Sequence, residues 1–150
     1  MSKSILVLNG PNLNLLGTRQ PDIYGSKTLV DLQAECVEKG EALGYRIDFR
    51  QSNSEGTLVD WIHEARNRYA GVVLNAGAYT HTSIALMDAI ASVGVPVVEV
   101  HISNIHQRED FRHVSYISKT AMGMICGFGI YGYSMALDAL VNHLRHQSRK

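Results

Sequence analysis

Ile5-Leu6-Val7-Leu8 runs without a break into Asn9-Gly10-Pro11-Asn12-Leu13-Asn14-Leu15-Leu16-Gly17-Thr18-Arg19-Gln20-Pro21-Asp22-Ile23-Tyr24-Gly25. Four apolar residues closed by a turn signal read as a buried strand, and the seventeen residues that follow read as a long loop. Connections in an alternating α/β chain need only about 2 to 6 residues. A loop this long inside a compact domain is functional or disordered, and Leu13, Leu15, Leu16 and Ile23 offer it something to bury. It is therefore read as an ordered site loop or lid.

Four more apolar runs recur downstream: Tyr45 to Phe49, Val72 to Leu74, Val97 to Ile102 and Met122 to Cys126. Helical patterns are expected after the strands. Thr28 and Asp31 have capping-box spacing ahead of a stripe of Leu29, Leu32, Cys36 and Leu43. A second helix carries Leu58, Ile62 and Ala65, with Trp61 beside the stripe. A third opens at Thr82 or Ser83 and turns Leu86, Ala89, Ile90 and Val93 inward. A fourth carries Tyr133, Leu137, Leu140, Val141 and Leu144. Alternation at this interval implies right-handed crossovers, hence a five-stranded parallel sheet with helices on both faces. The expected architecture is one flavodoxin-like, three-layer α/β/α domain over residues 1–150.

Composition narrows the partners. The chain is 45% hydrophobic and 19% charged, with 14 basic and 14 acidic side chains, so no net field draws in a nucleic acid or an anionic membrane. Lys3 and four apolar residues are too little for a secretory signal, and Asp88, Glu99 and glycines interrupt every other apolar region before the roughly 20 residues a membrane span needs. A cytoplasmic protein is expected. Cys36 and Cys126 lack CxxC spacing and read as reduced core thiols.

In such sheets ligands bind beyond the carboxyl ends of the strands, near the switch in strand order. Strand one ends in Asn9-Gly10-Pro11-Asn12, strand three in Asn75-Ala76-Gly77, and strand four in His101-Ile102-Ser103. Amides, an imidazole, a hydroxyl and free backbone N–H groups thus converge on one rim, which also carries the loop with Arg19 and Tyr24. Strand four departs from the apolar norm because Val97-Val98-Glu99-Val100-His101 sets Glu99 and His101 on one face. A carboxylate buried there needs a partner, and against one ring nitrogen of His101 it would orient the other and favour proton donation.

Tyr24 is a poor base at a phenol's ordinary pKa near 10, unless a cation favours the phenolate. Lowering it by three units takes about 4 kcal/mol, which one charge at about 4 Å in a partly screened site supplies. Arg19, five residues earlier, is that candidate cation; equally, Arg19 could bond loop carbonyls while Tyr24 only packs its ring. His81 near the third helix, Asp88 within it, and Arg108 and Arg112 after strand four complete the polar candidates, each ordinary in isolation.

Two patterns are weighed and set aside. Gly127-Phe128-Gly129-Ile130-Tyr131-Gly132 matches GxGxxG between a strand and a helix, but no later strand follows to carry an acidic ribose ligand, so the glycines read as tight packing. His143 and His146 are spaced for a metal but lack a third clustered ligand.

Taken together, the Asn9 to Gly17 opening, Arg19 to Gly25, Asn75-Ala76-Gly77-Ala78-Tyr79-Thr80-His81, Glu99 to Asn104, Arg108-Glu109 with Phe111-Arg112, and the glycine-rich approach to Tyr133 resemble the type II 3-dehydroquinate dehydratases over essentially the whole chain. The resemblance implies anti elimination of water from 3-dehydroquinate to 3-dehydroshikimate, with no cofactor and no metal. Tyr24 would be the base, with Arg19 lowering its pKa. Asn12, through a water, would stabilise the enolate, and His101, supported by Glu99 and Asn75, would protonate the departing hydroxyl. The N–H groups of Ile102 and Ser103 would hold the substrate carboxylate. Asn75, His81, Arg112 and Asp88, the last from a neighbouring subunit, would bind ring hydroxyls, and Arg108 would belong to the closing region. It also implies a homo-oligomer, a dodecamer built as a tetramer of trimers. Rival readings are a dinucleotide-binding oxidoreductase and a non-catalytic anion-binding module of flavodoxin-like shape.

Overall fold

Alternate residues of strand β1 (Ser4–Asn9) enter opposite layers of the protein. Ile5 and Val7 join one apolar cluster, Leu6 and Leu8 the other, and all four are fully buried. A central strand covered on both faces must be apolar throughout, and this one is until Asn9. The computed structural model describes residues 2–18, 22 and 26–147. Its strands β2 (Arg46–Gln51), β3 (Gly71–Asn75), β4 (Val97–His101) and β5 (Gly123–Cys126) pair with β1 in the order β2-β1-β3-β4-β5, all parallel. The edge strands β2 and β5 are only partly buried.

Helix α1 (Leu29–Leu43) begins at the expected capping box: Asp31 N–H donates to the Thr28 hydroxyl, and the Asp31 carboxylate accepts from Thr28 N–H. With α4 (Tyr131–Gln147) it covers one face of the sheet through Leu32, Cys36, Tyr133, Leu137, Leu140 and Leu144. Helices α2 (Glu55–Arg68) and α3 (Ile84–Val93) cover the other through Leu58, Ile62, Leu86 and Ile90. Of the two caps considered for α3, Ser83 serves, its hydroxyl accepting from Leu86 N–H at 2.9 Å. Among the described residues no helix is long and apolar enough to cross a membrane.

Two expectations need correction. A helix was expected after every strand, yet β4 reaches β5 through single 3-10 turns at Ile105–Gln107, Asp110–Arg112 and Ile117–Lys119. Only Ile105 and Ile117 are buried there, too few apolar residues to form the stripe a crossover helix would lay on the sheet. Leu15 was expected to bury with its loop. Leu13 and Leu16 do, but Leu15 is 46% exposed, pointing away in the short 3-10 turn Leu13–Leu15.

The switch in strand order falls between β1 and β3, where the two strand ends interlock. Gly10 N–H donates to the Asn75 carbonyl at 2.8 Å, and a Cβ on Gly10 would lie 2.4 Å from the Ala76 carbonyl oxygen. Only glycine lets the loops approach so closely.

Candidate active site

Above that interlock a cleft of about 170 Å³ opens, lined by Asn12 from the β1 loop, Asn75 and His81 after β3, and His101, Ile102, Ser103, Arg108 and Arg112 from β4 onward. Eight of the residues expected on the rim therefore share one cavity. Its volume suits a small molecule and falls short of what a drug-sized or dinucleotide ligand occupies. Among the described residues two arginines and two histidines line it and no carboxylate does, so these walls favour an anion.

His101 is 5% exposed and Glu99 is fully buried beneath it. His101 Nε2 lies 2.5 Å from Glu99 Oε2. The carboxylate also accepts from the hydroxyls of Ser115 at 2.7 Å and Thr80 at 3.1 Å on the same oxygen, and from Ser118 at 2.5 Å on Oε1. Burial pushes the Glu99 carboxyl up, but the bond from His101 and the serine hydroxyls outweigh it and hold the group below the usual carboxylate value. An ionised carboxylate can only accept, so Nε2 carries the hydrogen and Nδ1 is the nitrogen left to serve the cleft.

His81 Nδ1 lies 2.8 Å from the Val114 carbonyl, which fixes that nitrogen as the donor and Nε2 as an acceptor. Burial lowers its pKa below the ordinary imidazole value despite that bond, so the ring is neutral near pH 7. Asn12 is the single non-glycine residue with positive φ among the described residues, at 70°. Asparagine tolerates that left-handed geometry, and Asn53 holds it there by accepting the Asn12 N–H on Oδ1 at 3.0 Å. Among the described residues, neither the Ile102 nor the Ser103 N–H is taken by a carbonyl or side chain. Two adjacent unfilled donors beside Arg112 suit a carboxylate.

Asp88 does not reach this cleft; it is exposed on α3. Arg19 and Tyr24 lie outside the described residues. The expected support of His101 by Asn75 is not found. Asn75 pairs across the sheet with Asn9, and its amide turns into the α4 layer, where Nδ2 donates to the Tyr133 hydroxyl at 2.9 Å and Oδ1 accepts from Gly77 N–H at 3.1 Å. His101 follows Glu99 on the opposite face.

Sequence reasoning missed Thr80, Ser115 and Ser118 around Glu99, Asn53 behind Asn12, and the Asn9–Tyr133 contact. Of these, only Thr80, Asn9 and Tyr133 stood within stretches already singled out. Of the GxGxxG glycines, Gly132 serves packing, since a Cβ on it would meet Val100 Cγ2 at 3.3 Å, whereas Gly127 and Gly129 hold positive φ of 95° and 62°. His146 Nδ1 bonds the Asn142 carbonyl within its own helix.

The family model described as "Dehydroquinase class II" matches residues 3–141. The chain is 66% identical to a 3-dehydroquinate dehydratase of Agrobacterium fabrum over 95% of this chain and 98% of that one. It is 60% identical to another from Pseudomonas aeruginosa over 92% and 93%. Among solved structures, a type II dehydroquinase from Propionibacterium acnes superposes with a TM-score of 0.90 at 48% identity, covering 95% of this chain and 98% of that chain. A flavodoxin-like sheet, a cleft at its switch point and these matches together make the chain a member of the class II dehydroquinase family.

Proposed function

We propose that this protein is a hydro-lyase that converts 3-dehydroquinate to 3-dehydroshikimate in the shikimate pathway, with residues 1–150 acting as one catalytic domain. The observation that carries the reading is the buried Glu99–His101 pair, whose free ring nitrogen serves an arginine-lined cleft. Family membership supplies the substrate.

The reaction is an elimination. Tyr24, as a phenolate beside Arg19, takes the proton next to the ketone, and the electron pair moves to the carbonyl oxygen. Asn12 stabilises that enolate, a preorganised contact of the kind worth about 3 to 4 kcal/mol. The enolate then expels the hydroxyl, and His101 hands it a proton so that it leaves as water. Ile102 and Ser103 N–H groups hold the substrate carboxylate, and Asn75, His81 and Arg112 hold the ring hydroxyls. Arg108 closes over the site.

Asp88 contributes from a neighbouring subunit in a dodecamer of four trimers. Its exposure on α3, one turn from the exposed apolar Ile84, supports that arrangement. Light scattering of the purified protein tests it: a monomer would remove Asp88 from the site. A cytoplasmic location accords with the chemistry. The dinucleotide alternative is disfavoured because Gly132, the last glycine it relied on, is spent on packing α4 against β4.

The deciding measurement is the rise of conjugated-enone absorbance when purified protein meets 3-dehydroquinate. A flat trace would overturn the assignment, and borohydride trapping of substrate on the protein would replace it with a Schiff-base mechanism.

A further inference from the structure

One buried polar chain beneath the cleft has no part in the elimination outlined above. Tyr133, in the first turn of α4, is 1% exposed, and its hydroxyl sits between two strand-end amides, 2.7 Å from Asn9 Oδ1 and 2.9 Å from Asn75 Nδ2. Asn9 Nδ2 donates onward to the Arg50 carbonyl of β2 at 3.1 Å, and Asn75 Oδ1 accepts from Gly77 N–H at 3.1 Å.

Both ends of this chain are backbone groups of fixed polarity, since a carbonyl only accepts and an N–H only donates. The Arg50 carbonyl therefore demands the NH2 end of Asn9, which turns the Asn9 oxygen toward Tyr133. The single hydroxyl proton is consumed by that oxygen. Only lone pairs remain for Asn75, so its NH2 end must face the hydroxyl, and its oxygen then meets Gly77 N–H. Reversing any one link would set donor against donor or acceptor against acceptor in a buried site. Burial drives the Tyr133 phenol far above its ordinary pKa, so the proton stays where the chain needs it.

Asn75 lines the cleft; Asn9 and Tyr133 do not. We propose that Tyr133, held by Asn9, is a positioning residue that sets which way round the Asn75 amide stands, and so which hydroxyl of the ring substrate that amide can hold. What Asn75 offers a ligand is the remainder: the second N–H of Nδ2 and the second lone pair of Oδ1. This inference rests on the function proposed above.

Tyr133→Phe keeps the ring and deletes the hydroxyl. Asn9→Ala keeps the hydroxyl but removes the acceptor of its proton, so the hydroxyl can point at Asn75 and only the Gly77 N–H still holds that amide's orientation. Steady-state kinetics with 3-dehydroquinate and thermal midpoints are measured for both variants and for the double variant. Each single variant is expected to raise KM about tenfold with kcat within about threefold, and the double variant to be no worse than the weaker single one. A lower midpoint with unchanged KM, or KM effects that multiply, would show a merely structural contact and overturn the proposal. Where Tyr133→Phe does not fold, Asn9→Ala decides by the same KM criterion. A silent wild type would sink the functional reading and this one with it, whereas an active wild type with unchanged variants would sink this one alone.

Discussion

His101 donates from Nε2 to Glu99 Oε2 across 2.5 Å, two residues apart on one face of β4, and three hydroxyls close around the same carboxylate. A charge buried this deeply persists only with such a shell. The pair fixes the orientation of the imidazole, with Nε2 committed to Glu99 and Nδ1 available to a substrate. Replacing His101 with Ala should lower kcat by about 100- to 10,000-fold, the usual range for losing a general acid. Glu99→Gln keeps the volume but not the charge and should cost at least about tenfold in kcat. Stopped-flow enone absorbance checks both.

The same carboxylate makes stability depend on pH. Its folded value lies below the ordinary carboxylate value of 4.5, so the unfolded chain takes up the proton first as pH falls. The stabilisation is complete above that ordinary value and is lost as pH drops through the folded one. Urea midpoints should therefore fall more steeply between about pH 5 and 3 in the wild type than in Glu99→Gln. Parallel curves would assign acid sensitivity to other groups.

Tyr24→Phe should leave folding and substrate binding intact while removing most turnover, by about 100-fold or more. Isothermal titration with the substrate separates binding from chemistry. Retention of even half the wild-type rate would dismiss the phenolate base.

Gly10→Ala should damage the site through the backbone. The new methyl would start 2.4 Å from the Ala76 oxygen, so the β1 and β3 loops must part. Overpacking of this kind costs about 1 to 3 kcal/mol, readable in a chemical denaturation curve. Because Asn12 and Asn75 ride on those loops, kcat/KM should fall along with stability.

Cys36 should resist alkylation in the native protein. Burial pushes its thiol up to about 12, leaving almost no thiolate at pH 8. Mass spectrometry after iodoacetamide treatment should find Cys36 modified only once denaturant is added.

Local signals were legible in the chain, and long-range ones were not. The Thr28 and Asp31 capping box, the apolar run of β1, and Glu99 beside His101 each show in a few consecutive residues, and each appears in the structure where the spacing puts it. Ser115 and Ser118 carry no mark tying them to a carboxylate 16 and 19 residues earlier. Asn9 and Tyr133, 124 residues apart, meet only because α4 docks on β3 and β4 and so brings Tyr133 to the end of β1. Asn75 was expected to support His101, but Leu74 is the residue in register with Glu99, and strand alternation sends Asn75 to the other layer.

The missing helix between β4 and β5 explains why a charge can live inside this sheet. Every other crossover presses leucines onto the strands, whereas this one brings Ser115 and Ser118 over β4. A designer who tidied residues 103–122 into a regular amphipathic helix would gain apolar cover, evict the carboxylate's hydroxyl cradle, and be left with a sturdier but chemically mute protein. Irregularity at this joint is thus the fold's concession to its reaction.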